Sequence, residues 1–251
     1  MIGSLLYLTV TRPDIQFAVC HCVRYQASPK TSHHQVVKRI FRYLKFTPEL
    51  GLRYSSGSSL SLRGFSDADH ASCRIDRKST FGTCQFLGTS LVSWSPRKQA
   101  SVSLSTTEAE YIATATLIDE ATLSDYGLRF GRIPLLVDST SAISIAKNTV
   151  LHSRTKHIDV RFHFLRYHYE KGDIDLVHVA TQNQLADIFT KSLDSSAFAR
   201  LRGNRLKVLT MHSSRGRLRP MDRPHCSPSV MSDCQRVQVL RWTGGPPMDW
   251  R

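Results

Sequence analysis

Acidic residues are in short supply in this chain. Its 251 residues carry 20 Asp and Glu against 34 Lys and Arg, a formal net charge of +14. Such an excess points to a polyanionic partner, nucleic acid before any other. Long apolar runs are also missing. No window reaches the roughly eighteen apolar residues that a transmembrane helix needs, so no membrane partner is expected. Met1 to Val10 is apolar, but it has neither a basic stretch before it nor a clean cleavage site after it. Secretion is therefore not expected. The six cysteines, at positions 20, 22, 73, 84, 226 and 234, form no CxxC pair. That argues against a disulfide scaffold or a zinc finger and for an intracellular setting, cytoplasmic or nuclear. Cys20-His21-Cys22 has no distant partner pair and reads as packing rather than a metal site. What is present suffices for a core, since 41% of the residues are hydrophobic.

The charge is unevenly spread. Residues 203–251 hold nine basic and three acidic residues, five of the ten prolines and no sustained apolar period. They read as a disordered basic extension. Residues 1–54 read as a small helical segment. Thr11-Arg12-Pro13-Asp14 marks a turn or helix start, and from Ser32 onward Val36, Val37, Ile40, Phe41 and Leu44 recur at helical spacing. Lys38, Arg39, Arg42 and Lys45 then lie largely on the other face of an amphipathic helix.

Residues 60–202 read as one α/β domain. Strands are expected at Leu60–Ser66, Thr83–Leu87, Ser90–Trp94, Ile133–Val137 and Ile174–Val179. Gly88-Thr89 signals a hairpin between the second and third. Ser105-Thr106-Thr107-Glu108 has the form of a capping box, so a helix starts there and is expected to end near Asp125. Further helices are expected at Thr140–Lys147, Lys156–Glu170 and Gln182–Lys191. A hairpin-rich start followed by alternation gives a mixed five-stranded sheet flanked by helices.

Four acids stand out in this basic chain. Asp67 and Asp138 end strands, Glu110 sits early in the capped helix, and Asp187 falls in the last expected helix. Carboxylates gathered at one sheet edge repel each other unless cations neutralise them. Mg²⁺ favours such oxygen ligands and keeps waters and phosphates in its shell. Two ions can activate a water and stabilise a leaving phosphate oxygen. Taken alone, the same acids read more readily as ordinary strand-end and capping residues.

The motifs are more specific. Phe65-Ser66-Asp67-Ala68-Asp69-His70-Ala71, Asp76-Arg77-Lys78-Ser79-Thr80, and Ser103 to Ala113 with its Ser-Thr-Thr-Glu-Ala-Glu-Tyr core resemble the ribonuclease H domain of copia-type retrotransposon Pol polyproteins. So do Ser141-Ala142-Ile143, His152 to Val160, and Gln184 to Lys191. Ile2 to Leu8, Thr11 to Asp14 and Lys38 to Lys45 resemble the segment connecting reverse transcriptase to that domain. The resemblance spans about residues 1–202, in the family's order.

It implies a ribonuclease H-like fold after a thumb- or connection-like segment. It also implies endonucleolytic hydrolysis of the RNA strand of an RNA–DNA hybrid with two Mg²⁺ or Mn²⁺ ions. Asp67, Glu110, Asp138 and Asp187 match the family's catalytic and metal-binding acids, with Glu108 second to Glu110. No small-molecule cofactor is implied, and in the family the partner is the rest of the Pol polyprotein. Arg77, Lys78, Arg154, Lys156, His157 and Arg161 are candidates for backbone contact with the hybrid. Asp69 is a candidate outer acid or a solvated loop residue.

Three features depart from the family. Ser139-Thr140 follows Asp138 where Asn is common, the stretch from Glu120 to Asp138 is shortened, and no histidine directly precedes the last acid. His178 is the nearest and reads as an ordinary strand residue. The rival readings are a catalytically inactive relic that at most binds nucleic acid and, ranked last, a strand transferase on the same fold.

Overall fold

A computed structural model describes residues 1–54, 61–73, 75–120, 131–148 and 159–205. The expected basic residues Arg154, Lys156 and His157 lie outside the described residues, as does the extension beyond 205. The end expected near Asp125 for the capped helix also falls outside them.

The chain opens with α1 (Ile2–Leu8), a 3-10 turn at Pro13–Ile15, α2 (Gln16–Val23) and α3 (Thr31–Phe46). Leu5, Ile15, Val19, Cys22, Val37 and Ile40 pack between them. On α3 Val36, Val37, Ile40 and Leu44 face inward, whereas Phe41, expected in the same stripe, is exposed together with Lys38, Arg39, Arg42 and Lys45. The Thr-Arg-Pro-Asp motif builds a buried polar knot. Arg12 and Asp14 meet at 2.8 Å with side chains only 7% and 0% exposed. Arg12 Nη1 donates to the Thr47 carbonyl at 3.0 Å, and the Tyr43 hydroxyl donates to Asp14 Oδ2 at 2.6 Å. Pro13 fixes the turn that points both charged groups inward.

Five strands follow: β1 (Leu62–Asp69), β2 (Thr80–Leu87), β3 (Ser90–Lys98), β4 (Ile133–Val137) and β5 (Ile174–His178). They form one sheet in the order β3-β2-β1-β4-β5. The β1–β2 and β2–β3 pairs are antiparallel, whereas β1–β4 and β4–β5 are parallel. Gly88, in the left-handed region at φ 60°, makes the expected hairpin turn. β1 and β2 run three residues beyond expectation, at the Asp69 and Thr80 ends. Both faces of these strands are covered, so their sequences show no clean alternation of polar and apolar positions.

Helices α4 (Thr106–Glu120), α5 (Thr140–Lys147) and α6 (Asp159–Lys171) cover one face of the sheet. There Tyr111, Leu117, Leu135, Leu165 and Leu176 form a core. On the other face Phe65, Phe86 and Trp94 pack against Leu185, Ile188, Phe189 and Leu201. Trp94 Nε1 donates to the Thr9 carbonyl at 3.2 Å, and Arg202 Nη1 donates to the Tyr43 hydroxyl at 2.8 Å, tying the N-terminal helices to this layer.

The helix expected at Gln182–Lys191 is not there. Two 3-10 turns, Thr181–Asn183 and Leu185–Phe189, take its place, and α7 follows at Ser195–Arg205. Every residue from Leu185 to Thr190 is buried. An α-helix of that length on a sheet would keep an outer face, and here there is none. Residues 203–205, expected to belong to the basic extension, instead end α7.

Candidate metal centre

Asp67 lies in β1 opposite Gly82 of β2. Asp138 directly follows β4, the parallel neighbour of β1, so both acids reach the same edge of the sheet. Glu110 comes from α4. Ala109 and Ala113 are fully buried against Ala68 and Phe81, and these small side chains let the helix sit close to the strand. The hydroxyls of Ser66 and Thr114 meet at 3.0 Å in the same interface. One carboxylate oxygen each of Asp67, Glu110 and Asp138 lies within 4.8 Å of the others. Three of the four expected acids are thus gathered.

Glu108 is held elsewhere. Its backbone N–H donates to Ser105 Oγ at 3.1 Å, and its Oε2 accepts from Leu104 N at 2.7 Å. This is the expected capping box, with the carboxylate reaching one residue further back than the cap. Glu110 is the acid that turns to the centre. Its Oε1 accepts from Ala68 N at 3.0 Å, while Oε2 is buried with no hydrogen-bond partner. Ser139 caps α5 by accepting from Ala142 N at 3.2 Å, so that departure from the family's Asn has a local structural use.

The fourth acid is not one of this trio but lies against Asp67. Asp187 is buried on the second 3-10 turn, and its Oδ1 lies 2.9 Å from Lys191 Nζ. The same ammonium is 3.7 Å from Asp67 Oδ2. The Thr190 hydroxyl donates to Asp67 Oδ2, and the Thr181 hydroxyl donates to Asp138 Oδ2 at 3.2 Å. Gln184 is fully buried, and its Nε2 donates to the Ser66 carbonyl at 2.8 Å. Sequence reasoning missed Thr181, Gln184, Thr190 and Lys191. The only available signal was their membership of, or closeness to, the Gln184–Lys191 motif.

The electrostatics follow from the crowding. Burial, then the charges of Asp67 and Asp138, push the Glu110 carboxyl up to about 9. Asp138 is raised by burial and by Asp67. Asp187 is raised by the same two causes, against the pull of Lys191. Burial lowers the Lys191 ammonium, but the carboxylates of Asp67, Asp187 and Asp138 outweigh it and raise the group overall. The structure thus holds clustered acids, an unpartnered buried carboxylate oxygen and one resident ammonium. All the donors are hard oxygens, which fits Mg²⁺ or Mn²⁺.

The remaining expected residues are not members of this trio. Asp69 ends β1, half-buried, with its carboxyl raised by burial. Asp76 pairs with Lys98 at 2.6 Å, and Lys98 holds the Asp76 carboxyl far below its usual range. Arg77 is exposed in a tight turn at φ 56°, its N–H donating to the Cys73 carbonyl at 2.8 Å, and Lys78 follows it. Arg161 lies on α6, with its side chain outside the described residues. His178 is exposed at the end of β5. Among the described residues no helix is long and apolar enough to cross a membrane.

The strand order, the antiparallel second strand, and acids on β1, α4 and the end of β4 together define a ribonuclease H-like domain. No protein-family model matches the chain. The retrovirus-related Pol polyprotein from transposon RE1 of Arabidopsis thaliana is 42% identical over 204 residues, covering 79% of this chain and 14% of that protein. The corresponding polyprotein from transposon TNT 1-94 of Nicotiana tabacum is 36% identical over 219 residues, 85% of this chain and 16% of that one. Among solved structures, the N-terminal RNase H domain of a Mycobacterium tuberculosis protein is 14% identical, with a TM-score of 0.40, covering 58% of this chain and 99% of that one. LC11-RNase H1 in complex with RNA/DNA hybrid gives 11% identity and a TM-score of 0.41, covering 52% of this chain and 94% of that one. The homologues are copia-type retrotransposon Pol polyproteins, to which this chain is 36–42% identical over 79–85% of its length. It spans about a seventh of their length.

Proposed function

We propose that this domain hydrolyses the RNA strand of RNA–DNA hybrids with the help of divalent metal ions. The observation that carries the reading is the convergence of Asp67, Glu110 and Asp138 on one point, with Glu110 Oε2 buried and unpartnered. A group so placed is costly unless a cation accompanies it. The three carboxylates would hold a Mg²⁺ or Mn²⁺ ion, and Asp187 and Asp67 would offer oxygens to a second. When bound, such ions activate a water and stabilise the leaving phosphate oxygen.

The chain's own residues set the geometry. Ala68 N fixes one oxygen of Glu110 and leaves the other facing the centre. Thr190 and Thr181 each hold one oxygen of Asp67 and Asp138, which orients the second oxygen. Gln184 pins the segment carrying Asp187 to β1. Substrate binding would draw on the basic excess, including the exposed lysines and arginines of α3 and the Arg77–Lys78 turn, reading the backbone and 2′-hydroxyls of an A-like duplex rather than its sequence. The family supports a setting within a larger Pol polyprotein.

The test is cleavage of a labelled RNA–DNA hybrid with Mg²⁺ or Mn²⁺, with single-stranded RNA and duplex DNA as controls. Metal-dependent loss of the RNA strand is expected, falling at least about a hundredfold in Asp67→Asn. A chain folded by circular dichroism that leaves the hybrid intact would refute the activity and identify an inactive relic.

A further inference from the structure

Asp67 is the hinge between two cation positions. On one side it faces Glu110 and Asp138, where one carboxylate oxygen from each of the three acids lies within 4.8 Å of the others and Glu110 Oε2 is buried without a hydrogen-bond partner. On the other side it faces Asp187, and there the cation is already present. Lys191 Nζ sits 2.9 Å from Asp187 Oδ1 and 3.7 Å from Asp67 Oδ2. Beyond this ion pair Asp187 Oδ1 has no hydrogen-bond partner among the described residues, and the Asp187 carboxyl lies against that of Asp67. The side chain of Lys191 is one-third exposed, so the ammonium has a route to water. Asp187 and Lys191 are four residues apart, and their fully buried neighbours Phe189 and Thr190 anchor the chain between them.

We propose that Lys191 is a resident cation of this centre. Its ammonium occupies the Asp67–Asp187 position, so the free protein takes up one divalent ion, at Asp67, Glu110 and Asp138. A second ion reaches Asp187 only by displacing Lys191 toward solvent. Lys191 is thus a positioning residue, and it sets how many ions the centre holds before substrate arrives. The inference rests on the divalent-metal reading above and adds the occupancy of each position.

The physical case is competition for the same oxygens. A divalent ion entering beside a fixed ammonium meets its repulsion and must also break the ion pair with Asp187. Charges about 4 Å apart at a partly wetted site interact strongly enough to change ion affinity by at least about tenfold. A neutral side chain of similar length removes both obstacles.

The experiment counts Mn²⁺ bound to the full chain without nucleic acid, by calorimetric titration and by the electron paramagnetic resonance signal of free Mn²⁺. It compares the wild-type chain with Lys191→Met and Lys191→Arg. One ion per wild-type chain is expected. Lys191→Met is expected to bind two, the second at least about tenfold tighter than any second event in wild type. Lys191→Arg keeps the charge and is expected to bind one, a rescue that loss of packing alone would not produce. Two ions of similar affinity in the wild-type chain would overturn the proposal, even if Lys191→Met failed to fold. One ion in both wild type and a folded Lys191→Met would overturn it as well. No Mn²⁺ in any folded chain would overturn the metal reading itself, and this inference with it.

Discussion

The tightest point near the centre is Gly82, and Gly82→Ala tests whether the 185–191 segment sets the acids. A Cβ there would lie 2.8 Å from Phe189 Cβ, 2.8 Å from Thr190 Cγ2 and 2.9 Å from the Ala186 carbonyl oxygen. Carbon atoms settle about 3.5–4.0 Å apart, so the segment would have to retreat by roughly 0.7–1.2 Å. Phe189 Cβ and the Ala186 carbonyl oxygen are fixed by the backbone, so no rotamer change relieves the clash. Overpacking of this kind costs about 1–3 kcal/mol. At roughly 2–4 °C per kcal/mol for a domain of this size, the thermal midpoint should fall by about 2–12 °C. The retreat also lifts Thr190 off Asp67 and carries Asp187 and Lys191 with it. A displacement near 1 Å is worth about a hundredfold in rate, so metal-dependent cleavage should drop by that order in a chain that still folds. Gly64→Ala is the comparison. Its Cβ would meet Leu117 Cδ2 at 2.7 Å and Leu135 Cδ2 at 3.2 Å, the ends of two leucines on the opposite face. Those tips can shift, so stability should fall while cleavage is largely kept. The assay pairs thermal unfolding by circular dichroism with hybrid cleavage. Wild-type stability and full cleavage in Gly82→Ala would refute the argument that this close approach positions the centre.

Two further predictions concern charge. The raised Glu110 carboxyl binds a proton more tightly when folded, so its contribution to stability is fully present below its ordinary value of 4.5 and is lost as pH rises toward about 9. In chelator, wild-type stability should fall across that window relative to Glu110→Gln, by at most about 1.4 kcal/mol per pH unit, and Mg²⁺ should remove the difference. Parallel pH profiles in chelator would contradict this, as read by denaturant unfolding of both chains. The second prediction is that Asp14→Ala costs about 3–5 kcal/mol in urea unfolding, because it strands the buried Arg12 guanidinium. The double change Arg12→Met with Asp14→Leu should cost far less, and equal losses would show that packing rather than charge is at stake.

Which parts of this protein can be read from its sequence follows from how each part is determined. The hairpin at Gly88 and the cap at Ser105 are local, so their residue types announce them. Asp67, Glu110 and Asp138 are legible because each lies inside a motif that fixes it in register, and the fold brings the three carboxylates together. The Arg12–Asp14–Tyr43–Arg202 knot escapes because its members are scattered along the chain and each alone looks like a surface residue. The segment from Leu185 to Thr190 escapes for the opposite reason. Its spacing suits a helix, but burial on every side removes the outer face that helical periodicity assumes. That burial also explains Lys191. Once Ala186 and Phe189 are seated against Gly82 and Gln184 is hydrogen-bonded to β1, the next charged side chain in line is delivered to the acids. A lysine at the end of an apolar run reads as a surface residue, and only the packing of the run before it turns that lysine into a counter-ion of the centre.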